Sequence, residues 1–291
     1  MTDRSIIANV RSISEQAGGK AQRRSAKAGR QLVQVERAEQ GGSTQLQAAN
    51  VSVGLADRAR AELARMNDEK LFSDAQLDRL GIVHPRTRNR ALVDALRQLR
   101  TKLYSLRPDG NFSVLVSSVV PEGGGSFVAL NLAATIAFDK AKTSLLVDAN
   151  LHDPIVHRLQ KLIGIENGHG LLEYLEHPEL GIEHIVSPSG VPRMRVIPIG
   201  SHAEISAEHF TSARYRQLME DIKDRYDNRF VVVDGPAMST TADARILSDI
   251  CDYTVLVVPY GGVTPGSLDA IVDEIDERKL AGIVMNDQPA D

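Results

Sequence analysis

The stretch from Phe112 to Ala133, FSVLVSSVVPEGGGSFVALNLA, leaves few folds open to this chain. Val114, Leu115 and Val116 form a continuous apolar run, the mark of a strand buried on both faces of a parallel sheet. Pro121, Glu122, Gly123, Gly124 and Gly125 end that run, and Ser126 is placed to cap a helix carrying Val128, Leu130, Leu132 and Ala133. Such a junction turns backbone N–H groups and the positive end of a helix toward one point, which suits a phosphate. A phosphate loop of this kind also sets a lysine on the bound phosphates and a hydroxyl on the metal. Ser126 supplies the hydroxyl, but the position before it is Gly125. The loop has the shape of a nucleotide site without its main positive charge.

Downstream, apolar runs alternate with helical patterns. Strands are expected at Thr143–Ala149, Met194–Ile199, Arg229–Asp234, Tyr253–Val258 and Leu280–Met285. Helices are expected around Leu171, Leu172 and Leu175, and over about 207–225, 241–249 and 264–278. Strand–helix alternation with nearly continuous apolar strands predicts an α/β fold, a doubly wound and mostly parallel sheet with ligands at the strand C-termini. Asp148 and Asp234 end two of these strands. Each alone reads equally as a turn or helix cap; together with the glycine loop they read as a Mg²⁺–nucleotide edge. Asn286, at the tip of the last strand, has an amide that can both donate to and accept from an adenine edge.

The first part of the chain differs. Residues 1–55 read as a disordered, basic arm, with Lys20, Arg23, Arg24, Lys27 and Arg30 in a segment poor in apolar pattern. Ile6, Val10 and Ile13 make a short helical stripe there that suits a partner or a membrane surface. Residues 56–110 read as a helical extension: Ser73 and Asp74 start a short helix stopped by Gly81, and Asn89–Leu106 carries Leu92, Leu96, Leu99 and Leu103 on one face. Asp94, Arg97 and Arg100 run beside that apolar stripe, either as a solvated face or as an inter-subunit contact. Residues 111–291 form the sheet domain.

The net charge of −4 over 291 residues gives no general attraction for nucleic acid or acidic lipid. No apolar run approaches the ~18–20 residues of a membrane span, and the N-terminus lacks the apolar core of a signal peptide. The single cysteine, Cys251, cannot form an internal disulfide. The expectation is a cytoplasmic protein.

These motifs together resemble the bacterial tyrosine kinases of exopolysaccharide synthesis, within the deviant-Walker branch of P-loop NTPases that includes partition and septum-site proteins. The resemblance runs from about Asp74 to Asn286 and is greatest to the tyrosine autokinases of exosortase and exopolysaccharide loci. The family loop, Ser-x-x-Pro-Gly-Glu-Gly-Lys-Ser/Thr, is met by Ser118-Val119-Val120-Pro121-Glu122-Gly123-Gly124-Gly125-Ser126, with Phe127, Asn131, Leu132 and Ala133 continuing as in the nearest group. The second motif, apolar-Asp-x-Asp-x-Arg, is met by Val147-Asp148-Ala149-Asn150-Leu151-His152, and the apolar-Asp-x-Pro motif by Val233-Asp234-Gly235-Pro236. The Glu-x-x-Arg-x-x-Arg oligomerisation stripe appears as Asp94, Arg97 and Arg100.

The resemblance implies ATP and Mg²⁺ as cofactors. Gly123, Gly124, Gly125, Ser126, Phe127 and Asn286 would hold the nucleotide, Ser126, Asp148 and Asp234 the metal, and Asp148 and Asp234 would be catalytic. It also implies a homo-oligomer recruited to the inner face of the plasma membrane by a polysaccharide co-polymerase, or chain-length regulator, with no nucleic acid bound. The departures fall in the chemistry. Gly125 replaces the loop lysine, Glu122 a glycine, Asn150 the second aspartate and His152 the arginine, and no tyrosine follows Tyr260. Phosphoryl transfer rests on positioning and charge stabilisation, and losing one such contact costs ~10²–10³ in rate. The sequence therefore predicts a catalytically impaired regulator or scaffold. An active autokinase and a partition-type ATPase-like protein are the alternatives.

Overall fold

The computed structural model describes residues 6–7, 71–108, 110–150, 169–200, 207–224 and 229–286. The chain divides into two units, Met1–Arg11 with Met66–Asp291, and Ser12–Arg65. The second lies wholly outside the described residues; the sheet and its helices belong to the first. In chain order the elements are β1 (Ile6–Ile7), α1 (Asp74–Leu80), α2 (Arg90–Leu106), β2 (Ser113–Ser118), α3 (Gly125–Ala137), β3 (Thr143–Asp148), α4 (Leu171–Glu176) and β4 (Ser187–Pro188). They continue with β5 (Met194–Ile197), α5 (Ala207–Thr211), α6 (Ala213–Asp224), β6 (Arg229–Asp234), α7 (Ala242–Ile250), β7 (Tyr253–Pro259), α8 (Pro265–Val272) and β8 (Leu280–Asn286).

The strands form one sheet in the order β1-β8-β7-β2-β6-β3-β5-β4. The body from β8 to β5 is parallel throughout, and the two-residue strands β1 and β4 add antiparallel edges. Every residue of β2, β3 and β6 is buried, because helices cover both faces. Val114, Val116, Leu146, Val232, Val255 and Val257 face α2 and α3, whereas Leu115, Leu145, Val147, Val231 and Val233 meet the apolar sides of α4, α6 and α7. A third cluster joins Leu256 and Val258 of β7 to Ala244 of α7 and Ile275, with the half-buried Leu268 and Ile271 of α8. This is the doubly wound sheet expected from the alternation of elements.

The helical extension is pinned to the sheet domain through Asn131 of α3. Its amide oxygen accepts from Val83 N (2.7 Å) and its nitrogen donates to the Gly81 carbonyl (3.0 Å). Asn89 caps α2 by accepting from Leu92 N at 3.0 Å, and Leu92, Leu96, Leu99 and Leu103 are buried as the periodicity required.

Four expectations are corrected. Ser126 does not cap α3: the cap position is Gly124, and Ser126 is already the second residue of the helix. The helix expected over 207–225 breaks at Ser212, whose hydroxyl donates to His209 O (2.7 Å) and accepts from Tyr215 N (3.1 Å), ending α5 and opening α6. The helix expected to reach residue 278 stops at Val272 and gives way to a turn in which Asp276 accepts from the Arg278 backbone at 3.0 Å. Ile6, expected in a helical stripe with Val10 and Ile13, is instead in β1, paired antiparallel with β8; the rest of the arm expected to be disordered lies outside the described residues. So do the helical pattern before residue 71 and His152.

Candidate functional site

The glycine loop joins the C-terminal tip of β2 to the start of α3, at the centre of the sheet. Glu122 adopts φ 58°, the left-handed conformation that the family's glycine would take without strain. Gly124 follows at φ 89°, and a β-carbon built there would overlap the amide nitrogen of Asn286. Gly125 has ordinary helical space except toward β2, where a β-carbon would lie 3.0 Å from the Ser118 backbone nitrogen. The loop is therefore seated against β2 about as closely as a residue with no side chain allows.

Asp148 and Asp234 end adjacent strands in direct register, so their backbones lie one strand spacing apart, about 4.8 Å. Each stands two residues beyond a member of the cluster under α3, Leu146 or Val232, so both carboxylates fall on the α3 face of the sheet. Both are fully buried. Past β3 the chain folds back: Asp148 Oδ1 accepts from Asn150 N (3.1 Å), and Asn150 Nδ2 donates to Ser126 Oγ (3.2 Å). Past β6, Ala149 N donates to Asp234 O (2.9 Å) and Gly235 N to Val116 O (3.0 Å), which locks the two tips beside β2. The structure thus brings Gly123, Gly124, Gly125, Ser126, Asp148 and Asp234 to one edge. Asn150, which in sequence marks only the loss of a carboxylate, supplies a neutral amide to the hydroxyl expected to meet the metal.

Other expected residues are placed differently. Asn286 is fully buried and donates its amide to the Gly123 carbonyl (3.2 Å), so it braces the loop from beneath instead of facing an open base site. Phe127 is partly buried on the core side, where Gly81 lies against its ring. The charged stripe on α2 divides: exposed Arg97 faces Asp94 at 3.7 Å, while Arg100 reaches across to the Thr135 carbonyl of α3 (2.9 Å). Lys142 precedes β3, at the opposite edge of the sheet, over the rings of Phe230 (5.2 Å) and Tyr104 (5.8 Å), so it does not stand in for the loop lysine.

The loop, the α3 N-terminus, the Ser126 hydroxyl and the strand-tip carboxylates fit a phosphate and its metal in shape. The charge fits less well, because an exposed Glu122 and Gly125 stand where the motif has glycine and lysine. Among the described residues no group of three or more His, Cys, Asp or Glu is arranged to hold a metal ion. Were ATP and Mg²⁺ bound, Ser126, Asp148 and Asp234 would be the residues to face the metal and the loop N–H groups those to face the phosphates.

Compared with protein-family models, the chain matches none. It is 30% identical over 228 residues to the proposed tyrosine-protein kinase EpsB of Ralstonia solanacearum, which covers 74% of this chain and 30% of that protein. It is 28% identical over 231 residues to the tyrosine-protein kinase Etk of Escherichia coli K12, covering 76% of this chain and 30% of Etk. The chain therefore spans about 30% of the length of these curated relatives. The solved kinase domain of Escherichia coli Etk superposes with a TM-score of 0.59 at 25% identity, covering 74% of this chain and 87% of that one.

Proposed function

For this chain, a homologue of the bacterial tyrosine-protein kinases with the fold of their kinase domain, we propose a catalytically impaired regulatory or scaffolding role in exopolysaccharide biosynthesis. In this reading it works at the inner face of the plasma membrane with a membrane-bound polysaccharide co-polymerase, and copies associate through Asp94 and Arg97 of α2. The observation that carries the proposal is Gly125: the loop keeps its backbone path and its hydroxyl but lacks the cation that would face the phosphates. A charge-assisted hydrogen bond contributes about 1.5–3 kcal/mol, so ATP–Mg²⁺ affinity should fall one to two decades below that of a lysine-bearing loop. Asn150 in place of the second aspartate removes a further charge from the metal side.

An active autokinase is the second reading, and it is favoured by the intact pair of strand-tip carboxylates, Asp148 and Asp234. Calorimetric titration with ATP–Mg²⁺ separates the two. Gly125→Lys with Glu122→Gly should raise affinity by about tenfold. The gain is limited because a side chain at 125 obliges the loop to move a few tenths of an ångström from Ser118. Tight binding by the unmodified chain, unchanged in the double variant, would contradict the impaired-loop reading.

A further inference from the structure

We infer that the outer edge of β8 at Met285 and Asn286 is a strand-acceptor surface whose occupant, the chain's own Ile6–Ile7, latches the phosphate loop. The sheet is parallel from β8 to β5, and β8 bounds that parallel body on the side of β7. On its outer edge β1 runs antiparallel, with Ile6 opposite Asn286 and Ile7 opposite Met285. β1 also lies beside α2. It comes from the start of the chain, well before the first core strand, β2, and joins the sheet only after β8 has been laid down beyond β7.

The residue that β1 meets gives this pairing its consequence. Asn286 is a junction: its carbonyl accepts from Tyr260 N (2.8 Å), and its Nδ2 donates to Gly123 O (3.2 Å). Gly124 packs so closely on the same amide that a β-carbon there would overlap it. The loop passes the constraint on to α3, where Val128 N donates to Gly124 O (3.1 Å). A continuous path therefore runs from β1 through Asn286 to Gly123, Gly124 and the first turn of α3. Asn286 is the last residue of β8, and strand ends are where a sheet opens first. With β1 docked it is held from both sides, since Pro259 of β7 is its partner on the other. Undocking frees one side, and the bond to Gly123 loosens with it. A two-residue pairing opens at far lower cost than the sheet, so the latch can release while the fold stays. The latch needs no ligand; that it tunes phosphate binding rests on the loop reading proposed above.

The test is amide hydrogen exchange of the full chain without ligand, in wild type, Ile6→Pro and Ile7→Pro. In an antiparallel pair successive residues turn their N–H groups alternately toward and away from the partner, so only one of the two prolines removes a bond to β8. In that variant the Tyr260, Gly123 and Val128 amides should exchange about tenfold faster than in wild type. The Val231 amide, bonded to Phe112 O (3.0 Å) on the far side of the loop, should not change. The other variant should match wild type throughout. Faster exchange at Tyr260 with Gly123 and Val128 unmoved would show docking without a latch and overturn the inference. No change in either variant would remove β1 from β8. Equal acceleration in both, or acceleration that reaches Val231, would mark a general destabilisation and overturn it as well. Inorganic tripolyphosphate with Mg²⁺ should then bind the affected variant about tenfold more weakly than wild type, because a loosened loop must be ordered again on binding. Equal binding would overturn the tuning, and failure of both chains to bind would overturn the loop reading while the exchange result still decides the latch.

Discussion

Glu122 marks the point where sequence and backbone disagree most openly. It holds φ 58°, a conformation that costs a residue with a β-carbon about 1–2 kcal/mol. Replacing it with glycine removes that strain but frees the unfolded chain, which offsets part of the gain. Glu122→Gly should therefore raise stability by about 0.5–1 kcal/mol, seen as a higher denaturant midpoint at unchanged slope. A fall in midpoint would show that the glutamate makes a compensating contact. Asn286 is the opposite case, a buried polar side chain whose bond to Gly123 fixes the loop. Asn286→Ala should cost about 1–3 kcal/mol, because the Gly123 carbonyl loses its donor; a loss below a few tenths would remove its bracing role. The convergence of Gly123–Ser126, Asp148 and Asp234 on one edge of the sheet was legible in sequence, since loop, strand and tip residue follow from local pattern. The place of Asn286 under the loop was not, because it depends on β8 lying beyond β7, a contact 163 residues away in sequence.

At the scale of elements, one clamp joins two helices and another ties a strand to the loop and helix beside it. Arg100 ties α2 to α3 through Thr135 O, whereas Arg97 meets only the exposed Asp94. Arg100→Ala should destabilise the fold by about 1.5–3 kcal/mol and Arg97→Ala by less than about 0.5, since exposed ion pairs contribute little. Equal costs would contradict the division of the stripe. At the opposite edge from the loop, Asp252 accepts from the Ser113 backbone (2.8 Å) and hydroxyl (2.9 Å) and faces Lys223 at 3.3 Å. Burial pushes its carboxyl up, but the Ser113 N–H, the Lys223 charge and the two side-chain bonds outweigh it and hold the pKa below the usual carboxylate range. A depressed folded pKa gives stability that is present above the unfolded value, near 3.9, and lost as the pH falls through the lower folded value. Stability should therefore drop on acidification below about pH 4, and Asp252→Asn should flatten part of that drop in denaturant titrations at stepped pH. An identical slope in the variant would remove Asp252 from the account. Helix existence was readable here from periodicity. Helix ends were not: Ser212 breaks its helix with side-chain bonds that no apolar pattern encodes, and α8 stops at Val272 although the apolar pattern continues toward Ile275.

For the whole molecule, strand–helix alternation was enough to predict the doubly wound sheet, because continuous apolar strands have no stable place but a two-sided core. What sequence could not give was strand order, which decides that β7 and β8 stand opposite the carboxylates across the loop. The single cysteine offers a global probe: Cys251 is fully buried, and burial pushes its thiol up to about 12. A thiol reagent at neutral pH should react with it only as the fold opens, so fast labelling of the native chain would contradict the packing of α7 on the sheet. We propose that this fold keeps the frame of a tyrosine kinase and has lost the charge that drives the reaction. Incubation of the purified chain with γ-labelled ATP and Mg²⁺, followed by phosphotyrosine analysis, tests it most directly. The account predicts no transfer above background; robust tyrosine phosphorylation, abolished by Asp234→Ala, would contradict it.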